Sequence, residues 1–131
     1  MSDTELVAAA INAMSKAYAP YSQFHVGAAI RDVQGFVHVG ANVENAAYPQ
    51  GVCAEASAIS AMVMAGGQKI QAIAIAGAGG HLCTPCGGCR QRIREFADEE
   101  AVIIIADETS ERARFTLATL LPYSFGPYNL S

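Results

Sequence analysis

The chain has no tryptophan, few aromatic side chains (8%) and few charged ones: 15% of its residues are Asp, Glu, Lys or Arg, against roughly 25% in an ordinary globular domain. A surface this poor in charge is hard to cover with its own polar groups, so association with other copies is predicted. A basic excess is also missing. Eight Lys and Arg stand against twelve Asp and Glu, a formal net charge of -4, which provides no cationic track for a nucleic acid polymer and no attraction to an anionic membrane. Long apolar runs are absent: segments 72–80 and 101–106 fall far short of the roughly 18 residues a membrane span needs. Asp3 and Glu5 occupy the place where a secretory signal requires positive charge. The expected location is cytoplasmic.

What is present points to one compact α/β domain over residues 1–131, since 52% of the residues are hydrophobic and the length suits a single core. Ser2 and Glu5 have capping-box spacing ahead of Leu6, Ala9, Ala10, Ala13, Met14 and Ala17, which predicts a helix that ends before Pro20. Segments 26–30 and 36–40 read as strands paired through a turn that ends at Gly35. ANVENAAYPQG (41–51) fits neither period and reads as an ordered loop carrying polar groups. Residues 53–65 predict a helix apolar almost all round, hence buried, stopped by Gly66 and Gly67. A covered strand over 70–76 leads into GAGGHLCT, and Thr84 with Pro85 predicts the start of another helix, whose stripe is Cys86, Cys89, Ile93 and Phe96. Residues 101–106 predict a central strand, and the alternation of strands with helices argues for a layered α/β architecture.

In a reducing compartment, Cys53, Cys83, Cys86 and Cys89 suit metal ligation or thiol catalysis better than a disulfide framework. Cys86 and Cys89 have the spacing at which two sulfurs of one helix start can grip a tetrahedral ion. If the helix opened by Cys53 and the helix of Cys86 both follow strands of one sheet, their N-termini can converge at the same sheet edge and three thiols can share one zinc, and both helix N-termini favour the thiolate form. Three protein ligands with an open position is the pattern of catalytic zinc, whereas participation of Cys83 would close a four-cysteine zinc module or give an iron–sulfur ligand set. Glu55, two residues after Cys53, is placed to take a proton from a metal-activated water, although a carboxylate there also complements the positive end of its helix.

Four segments carry a resemblance: YSQFHVGAA (21–29), NVENAAYP (42–49), CAE (53–55) and PCGGCRQ (85–91). In their order and intervals the sequence resembles the small, homotetrameric, zinc-dependent cytidine deaminases, from the first helix to the region of Phe125. The resemblance implies a three-layer α/β/α sandwich around a mixed, roughly five-stranded sheet. It also implies one zinc per chain on Cys53, Cys86 and Cys89, with Glu55 as the catalytic proton carrier and water attack at C4 of the pyrimidine. Cytidine and deoxycytidine would become uridine and deoxyuridine, in pyrimidine salvage. Phe24, Asn42, Glu44, Tyr48 and Ala54 would bind the nucleoside, and Phe125 would close the site of an adjacent subunit in a tetramer with shared active sites. A deaminase of a cytosine-containing nucleoside antibiotic would use the same chemistry with a different sugar pocket.

One departure bears on charge. Members of this family often carry Arg directly after the catalytic Glu, where it bonds the ligand sulfurs, and this chain has Ala56. Arg90, beside Cys89, is either a solvated helix residue or a substitute partner for the sulfurs.

Overall fold

The computed structural model of the protein describes residues 2–131. Helix α1 (Asp3–Met14) opens with the expected capping box: Ser2 Oγ accepts the Glu5 N–H at 3.2 Å, and Glu5 Oε1 accepts the Ser2 N–H at 3.2 Å. Strands β1 (Val26–Asp32) and β2 (Val37–Ala41) then form an antiparallel hairpin, with Gly35 at φ 93° in the turn. A single 3-10 turn at Tyr48–Gln50 precedes α2 (Ala54–Met64) and β3 (Ile70–Gly77). Helix α3 (Gly87–Phe96), β4 (Ala97–Ala106), β5 (Glu111–Thr116) and the short α4 (Leu117–Leu120) follow, with a second 3-10 turn at Pro127–Leu130.

The sheet runs β2-β1-β3-β4-β5, parallel only between β3 and β4, so it is mixed and five-stranded as expected. Strand periodicity sorts its two faces. In β3, Ala72, Ala74 and Ala76 join Leu6, Val7 and Ala10 of α1, whereas Ile73 and Ile75 join Ala58, Met62, Ile93 and Leu117 on the other side. One helix therefore covers one face, and α2, α3 and α4 cover the opposite face: three layers. Two close approaches tighten the stack. A Cβ on Gly27 of β1 would collide with the Ala10 carbonyl and the Met14 backbone of α1, and one on Gly40 of β2 would collide with the Ala58 nitrogen and the Ala54 carbonyl of α2. The second contact seats the N-terminal turn of α2, the turn that carries Glu55, directly on the sheet.

The structure corrects three of the sequence expectations and adds a strand. β4 begins at Ala97, not at residue 101, because pairing of Ala97 with Ile70 carries the exposed Asp98, Glu99 and Glu100 into the strand. β5 escapes hydrophobic patterning because ERARFT is an exposed edge. Thr84 does not cap α3: the helix begins two residues later, at Gly87, and its cap is Cys86, in extended conformation at φ -66°, ψ 169°, with the Pro85 carbonyl taken by Arg90 Nε. Helix α2 is buried on one face only, through Ala54, Glu55, Ala58, Ile59 and Met62, and leaves Val63 and Met64 exposed. Among the described residues, no helix is long and apolar enough to cross a membrane.

Asp32 locks the hairpin. Its Oδ1 accepts the N–H groups of Gln34 and Phe36, each at 3.0 Å, and its Oδ2 lies 2.8 Å from His38 Nε2, with the residue 2% exposed. Burial pushes this carboxyl up, but the His38 and backbone hydrogen bonds outweigh it and hold the group below its ordinary 3.8. A carboxylate depressed in the folded state contributes stability above the ordinary value and loses it as pH falls through the folded value. Asp32→Ala is expected to cost about 2 kcal/mol at pH 7. In urea melts the gap to the parent should narrow when the pH is taken below 3.8; a gap independent of pH would contradict the assignment.

Candidate active site

Two helix starts meet beneath the sheet edge. Cys53 is the N-cap of α2, Cys86 is the N-cap of α3, and Cys89 lies in the first turn of α3. Their Sγ atoms all lie within 4.8 Å of one another. A tetrahedral zinc with bonds of about 2.3 Å asks for sulfurs roughly 3.8 Å apart, so a small contraction closes the set. The electrostatics also suit a cation. Hydrogen bonds from the N–H groups of Cys89 and Gly88 hold the Cys86 thiol below its ordinary range, as expected at a helix N-terminus. Cys89, with no exposed surface, is pushed well up by burial and by the negative charges of Glu55 and Cys53. A divalent ion relieves that repulsion. The donor set fits zinc.

Cys83 does not join this group among the described residues. Its sulfur packs against Gly77, where a Cβ would lie 2.7 Å from it, and Phe24 Cζ abuts the same point at 3.3 Å. Burial, with the charge of Glu55 adding to it, pushes the Cys83 thiol up to about 11. It is a half-buried apolar neighbour and leaves the three-thiol cluster open.

Glu55 is the second residue of α2 and is 6% exposed. Burial raises its pKa, opposed by its own backbone N–H and by the charge of Arg92. A buried carboxyl with a raised pKa, two residues beyond a thiol of the cluster, is suited to carry a proton.

Arg90 is not a sulfur partner. Its Nε donates to the Pro85 carbonyl at 2.7 Å and its Nη1 to the Leu120 carbonyl at 2.8 Å, fastening the loop before α3 to the end of α4. The arginine that reaches the cluster is Arg92, whose Nη1 lies 3.6 Å from Cys89 Sγ. The reading of the sequence missed it, although its spacing of three from Cys89 places both on one face of α3.

Asn42 and Glu44 are engaged with the segment that carries Phe24. Asn42 Oδ1 accepts the Val26 N–H at 2.9 Å, and its Nδ2 donates to the Phe24 carbonyl at 2.8 Å. Glu44 accepts the N–H groups of Tyr21 and Ser22 at 3.0 and 3.1 Å, and the Ser22 hydroxyl as well. That hydroxyl leads the contacts holding the Glu44 carboxyl below its usual range. Glu44 and Tyr48 line a cavity of about 340 Å³ with Tyr21, Ser22, Asn45 and Gly51, the two tyrosine rings lying 6.0 Å apart. The three clustered cysteines do not line it. Ala54 is buried in the first turn of α2. Phe125 is exposed along the outer side of α3, its carbonyl accepting from Gln91 Nε2 at 2.8 Å. Arg94, which the sequence reading also passed over, bonds Ser124 Oγ at 2.9 Å and helps to hold that tail.

A family model for the cytidine and deoxycytidylate deaminase zinc-binding region matches residues 1–105. The chain belongs to this family. The cytidine deaminase of Sporosarcina psychrophila is 35% identical over 127 residues, covering 97% of this chain and 93% of that one. That of Mycobacterium tuberculosis H37Rv is 39% identical over 117 residues, or 89% and 84% of the two chains. The crystal structure of cytidine deaminase from Burkholderia pseudomallei superposes with a TM-score of 0.90 at 37% identity, covering 95% of this chain and all (100%) of the other. The three-layer fold is the fold of these deaminases, and the chain is an enzyme of the cytidine deaminase family.

Proposed function

We propose that the protein hydrolyses cytidine and deoxycytidine to uridine and deoxyuridine with release of ammonia, and that Cys53, Cys86 and Cys89 hold one zinc ion for this purpose. The observation that carries the reading is the three-thiol cluster at two helix starts with a buried carboxyl, Glu55, beside it. Zinc, when bound, supplies Lewis-acid activation of water near neutral pH. Glu55 takes the proton from the attacking water as its oxygen bonds to C4 of the pyrimidine, and passes that proton to N3. It then moves the remaining proton of that water, now on the C4 hydroxyl, to the amino group; the C4–N4 bond breaks, ammonia leaves, and the C4 oxygen becomes the carbonyl of uridine. The backbone of Ala54 addresses the base edge, and Phe24 offers its ring to the base.

Asn42 and Glu44 keep capacity for ribose hydroxyls. The Asn42 amide retains a second N–H and a second lone pair, and the Glu44 carboxylate retains one acceptor position. Binding of the sugar would therefore draw on the same groups that hold the turn around Phe24. Tyr48 and Phe125 belong to the walls of a site shared between subunits of a tetramer, in a cytoplasmic enzyme of pyrimidine salvage. The exposed Met64, Tyr48, Phe125, Tyr128 and Leu130 support association.

The test is conversion of free cytidine to uridine by the purified protein, with oligomeric state read by size exclusion and light scattering. A tetramer that deaminates the free nucleoside and is indifferent to salt is expected. Phe125→Ala should raise KM by about tenfold, the loss of one stacked or packed ring contact of about 1.4 kcal/mol. A monomer with full activity would contradict the shared site.

A further inference from the structure

Three thiolates bring one more negative charge than a zinc ion can neutralise, and Glu55, when ionised, adds another. Cys89 has no exposed surface, so its sulfur has no water to share that excess. The backbone N–H groups of Gly88 and Cys89 serve Cys86 instead. Residue 56, the next side chain after Glu55, is an alanine with nothing to donate. Arg90 spends its guanidinium on two carbonyls, and Arg94 spends its own on Ser124 and on the Ala97 carbonyl.

We infer that Arg92 is the positioning residue that offsets the excess charge of the thiolate cluster, acting on the Cys89 sulfur from the same face of α3. This rests on the zinc site proposed above and goes beyond it. The geometry is built for the contact. Arg92 follows Cys89 by three residues, and its Nη1 is 3.6 Å from Cys89 Sγ. A Cβ at Gly88 would come within 3.2 Å of that same Nη1, so glycine there leaves the guanidinium its path across the first turn.

Ala56 has the spacing from Cys53 that Arg92 has from Cys89, so an arginine at residue 56 would be offered to the cluster from the facing helix. That relation gives a rescue experiment. Zinc-loaded parent, Arg92→Gln, the double variant Arg92→Gln with Ala56→Arg, and Lys69→Gln as an exposed control of equal charge change are mixed with excess colorimetric chelator. Zinc release is followed with time, and secondary structure is checked by circular dichroism. Arg92 is exposed, so its glutamine variant should fold.

Arg92→Gln should release zinc about 10- to 100-fold faster than the parent, the usual effect of losing a group that supports a metal ligand. Lys69→Gln should match the parent, and Ala56→Arg should recover most of the loss. A parent that retains one zinc while Arg92→Gln releases it at the same rate overturns the role of Arg92 and leaves the zinc site standing. A double variant no slower than Arg92→Gln overturns it too, because the contribution would then be packing and not charge. A parent that retains no zinc overturns the proposed site itself and this inference with it.

Discussion

Glu55→Gln is expected to lower turnover of cytidine by about 10²- to 10⁴-fold, the range that removal of a positioned acid–base group produces, while zinc content stays at one per chain. Glutamine keeps the shape of the side chain and removes the proton-carrying function. Glu55 lies in the first turn of α2, seated on β2 by the Gly40 contact, with 6% of its surface exposed. Replacing a buried carboxyl whose charge is disfavoured by desolvation removes a cost to the fold, so the metal-free variant should melt no lower than the metal-free parent. Lost activity together with lost zinc would mean that Glu55 acts on the metal and not on the proton.

The second large effect concerns the ligands. Cys86→Ser should abolish zinc retention and reduce turnover by at least about 10⁴-fold, because unassisted water has a pKa of about 15.7 against about 7 on zinc. Cys83→Ser should keep one zinc per chain and lose little activity by comparison. The contrast separates the three-thiol site from a four-cysteine module, in which the two substitutions would be equivalent. Both cysteines are close to Glu55 electrostatically, yet only Cys86 belongs to the cluster.

How much of this could be read from the sequence depended on the range of the interaction involved. Local signals were legible: the Ser2 and Glu5 capping box, the Gly35 turn and the spacing of Cys86 and Cys89 each act within a few residues, and the structure contains all of them. The convergence of Cys53 on that pair was legible only as a condition, since it depends on α2 and α3 starting beside one another. β5 was not legible, because ERARFT is held by pairing with β4 and not by an apolar face. The start of α3 was misplaced by a local rule: Thr-Pro has the composition of a cap, but the helix begins only after Cys86, and Pro85 gives its carbonyl to the Arg90 side chain.

The arginines show the same limit more sharply. Arg90 stands next to Cys89 in sequence and points to carbonyls, whereas Arg92 stands three residues away and reaches the sulfur. Adjacency along a helix turns side chains about 100° apart, and a spacing of three returns them to one face. Asn42 and Glu44 carry a related lesson. Their alternation along an extended segment is visible in the sequence, but their work in holding the Phe24 turn depends on Tyr21, Ser22 and Val26, which only the folded chain brings to them.

The central claim is a cation held by three sulfurs with its remaining position free for the reaction, and X-ray absorption at the zinc edge of the purified protein tests it most directly. The expected spectrum has three sulfur neighbours at about 2.3 Å and one lighter neighbour. A shell of four sulfurs, which would bring Cys83 into the site, would contradict the account.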